Sequence, residues 1–224
     1  MDAQDFSDEE RAAVYRAIGE RRDMRHFSGG TVPPDVLERL LTAAHQAPSV
    51  GLMQPWRFLR ITRPDLRHAV HDLVEAERVR TAEALGERAE EFMRLKVQGV
   101  LDCAELLVVA LTDDRDRHVF GRRTMPYMDV ASASCAIQNL WLAARVEGLG
   151  VGWVSLFDPV DLGALLGMPP GSEPIAVLCV GPVPEFYPRP MLEQEGWAEG
   201  RPLRDVLAVD EWPLAEPDSA RLPR

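Results

Sequence analysis

The sequence predicts a mixed α/β architecture, helices alternating with strands, and three observations lead there. Helix-prone stretches at 7–20, 34–47 and 129–147 alternate with short apolar runs at 57–62, 105–113, 151–156 and 175–183. One run, ELLVVALTD at 105–113, is almost unbroken, which suits a strand covered on both faces. No glycine-rich P-loop or GxGxxG motif follows a strand, so a dinucleotide-binding fold of the usual kind is not expected. A chain of 224 residues can fill one such domain, expected over 1–224 with 1–9 and 213–224 flexible.

Taken in order, Ser7 can cap a helix over 7–20, with Glu10 at the reciprocal position of a capping box. SGGTVPP (28–34) is a loop, and Pro34 and Asp35 open a second helix whose Val36, Leu37, Leu40 and Leu41 make one apolar face. PSVGLMQPW (48–56) is a turn-rich link into the strand RFLRIT. The stretch 64–100 is charged, has few breakers and reads as exposed helix faces. DVASASCAIQNLWLAARVEGLG (129–150) forms a helix that stops at Gly148 or Gly150, and Ala131, Ser132, Ala133, Ser134 and Ala136 permit close helix packing. VGWVSL and IAVLCVGPV supply the last strands. The tail GWAEGRPLRDVLAVDEW (196–212) is too rich in Trp and Leu to stay uncovered, and should pack on something.

Composition narrows the function. Apolar residues make up 46% and charged residues 27%, with net charge −11, an acidic balance that argues against nucleic acid and anionic membrane as partners. The first residues hold no apolar run, no window is apolar for eighteen residues, and neither a secretory signal nor a membrane span is expected. Cys103, Cys135 and Cys179 lie far apart in apolar runs and read as buried thiols of a reducing cytoplasm. The five histidines form no ligand cluster, so no metal is expected.

Against that acidic background, ERRDMRHF (20–27) gathers Arg21, Arg22 and Arg25 around Asp23. Three guanidiniums so close repel one another unless something anionic lies between them. A solvated basic helix end is one reading; a phosphate clamp is the other, because a planar fork of donors pairs with phosphate oxygens. Asp23 either braces an arginine or is a reactive carboxylate beside a ligand.

Four pieces in this order, ERRDMRHF, APSVGLMQPWRF, AIQNLWLAARVEGLGVGWVSL and GRPL, resemble the flavin-dependent nitroreductase superfamily over roughly residues 10–205. Asp23, where ordinary nitroreductases usually carry serine, together with PSVGLMQPW and GWVS, resembles the BluB family of 5,6-dimethylbenzimidazole synthases. The resemblance implies a nitroreductase-like α+β fold, a central mixed sheet flanked by helices, in an interlocked homodimer, with C-terminal segments embracing the other subunit and the helix 129–147 at the dimer contact. It implies FMN, its phosphate held by Arg21, Arg22, Arg25 and Arg201. It puts Ser49 and the backbone near Met53 and Gln54 along the flavin, and Lys96 within reach of it. The backbone N–H groups of Ser155 and Leu156 would face the ring edge, while Trp153 is taken as core packing.

The reaction implied consumes FMN itself: reduced FMN reacts with dioxygen and is fragmented to 5,6-dimethylbenzimidazole, the lower ligand of cobalamin, and erythrose 4-phosphate. FMNH2 would come from a separate flavin reductase in the cytoplasm. Asp23 is the candidate base for the ribityl chain and Ser155 the candidate hydrogen-bond donor to a reacting flavin atom. Arginines would lower the Asp23 pKa and burial would raise it, and the sequence leaves that contest open. The stretch 76–100 is the expected lid, since it has few reasons to be core. Two other readings stand beside this one: an NAD(P)H-dependent FMN nitroreductase, against which Asp23 weighs, and a non-catalytic FMN-binding or storage protein.

Overall fold

The apolar runs pair into one four-stranded sheet, seen in a computed structural model that describes residues 5–94, 98–117 and 119–212. Its strands are β1 (Trp56–Ile61), β2 (Glu105–Leu111), β3 (Gly150–Val154) and β4 (Glu173–Gly181), in the order β1-β2-β4-β3. The expectation of a mixed sheet needs a correction, because every strand pair is antiparallel. The one isolated bridge among the described residues is parallel and joins Asp23 to Val151 at the outer edge of β3.

The unbroken apolar run of β2 is explained by its two neighbours in depth. Leu107, Val109 and Leu111 face one cluster with Leu178 and Val180, under helices α2 (Pro34–His45) and α6 (Met128–Val146). Leu106 and Val108 face the other with Val177 and Cys179, packed with Val70 and Val74 of α3 (Pro64–Leu85), Val100 of α5 (Gly99–Asp102) and Leu162 of α7 (Pro159–Leu165). Alternate residues of each strand therefore serve opposite layers.

Helix α1 (Asp8–Glu20) carries the capping box in full: Ser7 Oγ accepts from the Glu10 amide at 3.2 Å, and Glu10 Oε2 from the Ser7 amide at 2.7 Å. Residues 8 and 9, expected to be flexible, are thus part of a capped helix. Helix α6 ends where Gly148 turns to φ 76°, and the Leu149 amide reaches back to the Ala144 carbonyl at 2.8 Å. The small residues of α6 act first inside the chain: Ser132, Ala133 and Ala136 are buried, and α6 packs on α2. The stretch 76–100 is more than exposed faces, since Ala82, Phe92 of α4 (Ala89–Met93), Gly99 and Val100 are buried. Among the described residues no helix is long and apolar enough to cross a membrane.

The single domain expected over 1–224 divides into two compact units, Met1–Pro188 and Arg189–Arg224. The second contains the short helix α8 (Met191–Gln194), closed by the Trp197 amide on the Leu192 carbonyl at 2.8 Å, and it exposes Leu203, Val206, Leu207, Val209 and Trp212. Residues 213–224 lie outside the described residues.

Candidate active site

Just after α1 the chain meets the free edge of β3 at Asp23 and Met24. The Met24 amide donates to the Val151 carbonyl at 2.9 Å. This approach is possible because position 152 is glycine: a Cβ there would lie closer than 3.0 Å to the Met24 carbonyl oxygen. Trp141 of α6 supports the segment from the side, its Nε1 donating to the Arg22 carbonyl at 3.1 Å.

The three arginines divide the work. Arg22 Nη1 donates to the carbonyls of Gly19 and Arg21 at 2.8 Å, and Nη2 to the Pro188 carbonyl at 3.1 Å. It therefore closes the C-terminal end of α1, whose last carbonyls otherwise lack partners. Arg25 Nη2 pairs with Asp23 Oδ2 at 2.5 Å. Arg21 donates its amide to the Ala17 carbonyl at 3.1 Å, and its guanidinium lies over the Trp141 ring, 4.7 Å from the centroid, without a hydrogen bond to the described residues. Its guanidinium donors remain open to an anion.

Asp23 is held from both sides, because Oδ1 accepts from the Trp153 amide at 2.8 Å while Oδ2 meets Arg25. Burial raises its pKa, and outweighs the opposing pull of Arg25, the Trp153 N–H and Arg21. A carboxyl with a raised pKa is a better proton acceptor once ionised than an ordinary aspartate.

Ser155 and Leu156 follow β3 directly, two and three residues beyond Trp153; Ser155 is exposed and its hydroxyl makes no hydrogen bond to the described residues. Ser49, Met53 and Gln54 sit elsewhere. Their loop is pinned to α6 by the Val50 amide on Ser132 Oγ at 3.0 Å, and Ser49 Oγ accepts from the Gln54 amide at 3.0 Å. The arginine-bearing segment meets α6 at Trp141, nine residues on, or about 14 Å along the helix axis. The loop is strained, with φ 52° at Leu52 and 47° at Gln54, and Leu52 is 80% exposed. Met53 and Gln54 also line a cleft of about 500 Å³ with His45, Trp56 and Thr112. Lys96 lies outside the described residues. Arg201 is exposed in the second unit.

Several residues of the site carried no signal in the sequence. Trp153, taken as packing, contributes its amide, and its half-buried ring tilts against Trp141 at 6.3 Å. Tyr187, His26 and Arg145 also touch this region. The cysteines need one correction: Cys103 and Cys179 are buried, but Cys135 is exposed, because it lies on the face of α6 away from Ala133, Ile137 and Leu140. The Cys179 thiol is pushed up by its hydrogen bond with Cys103 and by burial.

An open guanidinium, a free hydroxyl and a pinned carboxylate, close in sequence to the same strand edge, fit a phosphorylated, hydroxyl-rich ligand such as FMN. The chain is also similar to known proteins. Residues 18–182 match the model of the nitroreductase family. A 5,6-dimethylbenzimidazole synthase of Rhodobacter capsulatus is 40% identical over 201 residues, covering 88% of this chain and 96% of the relative. Among solved structures, a BluB-like flavoprotein from Clostridium difficile 630 superposes with TM-score 0.69 at 18% identity, over 88% of this chain and 99% of that one. An iodotyrosine deiodinase bound to FMN and 3-iodo-L-tyrosine superposes with TM-score 0.67 at 23% identity, over 79% and 92%.

Proposed function

The chain belongs to the nitroreductase family and to its 5,6-dimethylbenzimidazole synthase branch, and on that premise we propose that it converts reduced FMN and dioxygen to 5,6-dimethylbenzimidazole and erythrose 4-phosphate. The observation that carries the reading, beside the 40% identity, is Asp23 fixed between Arg25 and the Trp153 amide with its pKa raised. Reduced FMN brings both the electrons for dioxygen and the carbon skeleton of the product, and its pyrimidine ring, with four carbons, N1 and N3, leaves as a third fragment. In this reading Arg21 holds the phosphate, with Arg25 and Arg201 completing the charge around it. Asp23 removes a proton from the ribityl chain, and the Ser155 hydroxyl and Leu156 amide donate toward the ring. FMNH2 arrives from a separate flavin reductase, and the chain works in the cytoplasm as a homodimer.

The dimer is part of the same proposal. Val14, Tyr15 and Ile18 of α1 and Val130 and Val146 of α6 are exposed, an apolar surface that a second copy would cover. The loop carrying Ser49, Met53 and Gln54 would then face the flavin of the other subunit. The C-terminal unit supports this too, because its exposed Leu203, Leu207 and Trp212 need a cover. Removing 189–224 is expected to weaken both self-association and FMN affinity; a truncated protein that sediments as a dimer and binds FMN unchanged would refute the embracing tail.

The arginines separate in a binding titration. Arg21→Ala should cost FMN roughly 1.5–3 kcal/mol, or ten- to a hundredfold in affinity, and leave riboflavin almost unaffected because it has no phosphate. Arg22→Ala should instead lower thermal stability and weaken both flavins alike, since Arg22 caps α1. The function itself is tested by the fate of FMN. Offered FMNH2 in air, the protein should consume it; FMN recycled at the expense of NAD(P)H would indicate a nitroreductase, and FMN bound without change a carrier.

A further inference from the structure

Beyond β4 the strap PVPEFYP (182–188) is tied to residues 22–28 by hydrogen bonds at Pro182, Tyr187 and Pro188, and to α6 by Phe186. The Ser28 amide donates to the Pro182 carbonyl at 2.9 Å, and Arg22 Nη2 to the Pro188 carbonyl at 3.1 Å. Arg145 sits over the Phe186 ring, 4.1 Å from its centroid. Between these, the Tyr187 hydroxyl lies 3.3 Å from the Arg25 amide and 2.7 Å from His26 Nδ1, with the His26 and Tyr187 rings edge to face. A phenol can accept from the amide and donate to the imidazole at once, so one oxygen joins two consecutive residues of the clamp.

From this geometry we propose that Tyr187 is a positioning residue, fixing the Arg25 backbone and the His26 ring and so setting where Arg25 and Asp23 meet bound FMN. The connection is continuous: Tyr187 holds the Arg25 amide, the Arg25 guanidinium holds Asp23 Oδ2, and the Trp153 amide holds Oδ1. Met24, between Asp23 and Arg25, is anchored on Val151 and buried, which leaves Arg25 as the first clamp residue whose backbone depends on the strap. The strap leads straight into the C-terminal unit, so the clamp and the tail share one stretch of chain. The inference rests on the reading of 21–25 as an FMN site, and the test separates the two.

Tyr187→Phe in the full chain keeps the ring and removes only the hydroxyl. FMN affinity should fall about three- to tenfold, riboflavin affinity less than about twofold, and FMN consumption in a single turnover about tenfold even at saturating FMNH2. His26→Ala, a change at an exposed side chain, should reproduce part of the FMN loss. Tyr187→Phe that binds and consumes FMN like the wild type would overturn the inference while the site reading stands. Equal losses for both flavins with a lowered melting temperature would overturn it as well, leaving a strap that only stabilises the fold. A wild-type protein that does not distinguish FMN from riboflavin would remove the site reading and the inference with it.

Discussion

Asp23→Asn should lower benzimidazole formation by at least about a hundredfold, the lower range for loss of a positioned general base. FMNH2 should still bind and still react with oxygen, because neither step requires a carboxylate. Asparagine keeps an oxygen for the Trp153 amide but presents no carboxylate to Arg25. A bracing role predicts a different outcome, in which Asp23→Asn weakens FMN binding and saturating flavin restores the yield. Stability gives a second discrimination. The folded-state pKa of Asp23 is raised, so its contribution is fully present below the ordinary aspartate pKa of about 3.9 and is lost as pH rises through the raised value. At neutral pH the ionised carboxylate is therefore held at a cost. The ligand-free Asp23→Asn protein should melt no lower than wild type at pH 7, and lose that parity as the pH approaches 4. A clear drop in melting temperature at pH 7 would mark Asp23 as a brace.

Gly152→Ala should displace the whole clamp. The added methyl would collide with the Met24 carbonyl, which is backbone and cannot swing aside as a side chain can. Relief requires residues 23–25 to leave the β3 edge, breaking the Met24–Val151 and Asp23–Trp153 hydrogen bonds. Overpacking of this kind costs about 1–3 kcal/mol or more, and flavin affinity should fall more than about tenfold with it. Gly163→Ala in α7 is the control: the nearest atom to its added methyl is 3.9 Å away, and a helix gains from alanine. If Gly152→Ala binds FMN normally, the clamp does not depend on its seat against β3.

These two positions show how unevenly the sequence discloses the molecule. Ser7 with Glu10, the run 105–113 and the stop at Gly148 are local signals, and each matches a local structure. Helix α7 also has one, since Asp158 caps it and Pro159 opens it. The antiparallel order β1-β2-β4-β3 is set by contacts between residues far apart in the chain, which no local pattern encodes. The same holds in the site. ERRDMRHF displays a cluster of arginines around Asp23, but nothing in it says that Arg22 turns back to its own helix while Arg21 stacks on Trp141. The glycines of GLGVGW read as part of a resemblance; their physical reason appears only when Met24 lies against Gly152. Tyr187 belongs to no motif, and its position beside Arg25 depends on how the strap returns from β4.

Carbon accounting offers the most direct measurement. Ribityl has five carbons and erythrose 4-phosphate four, so one ribityl carbon must close the imidazole ring of the product. FMN labelled with carbon-13 at the ribityl carbon bonded to the ring should be reduced, mixed with the protein in air and followed by mass spectrometry. The account predicts one 5,6-dimethylbenzimidazole for each FMN lost, with the label in the benzimidazole and unlabelled erythrose 4-phosphate beside it. Labelled FMN recovered intact, whether after rounds of NAD(P)H oxidation or after none, would contradict it.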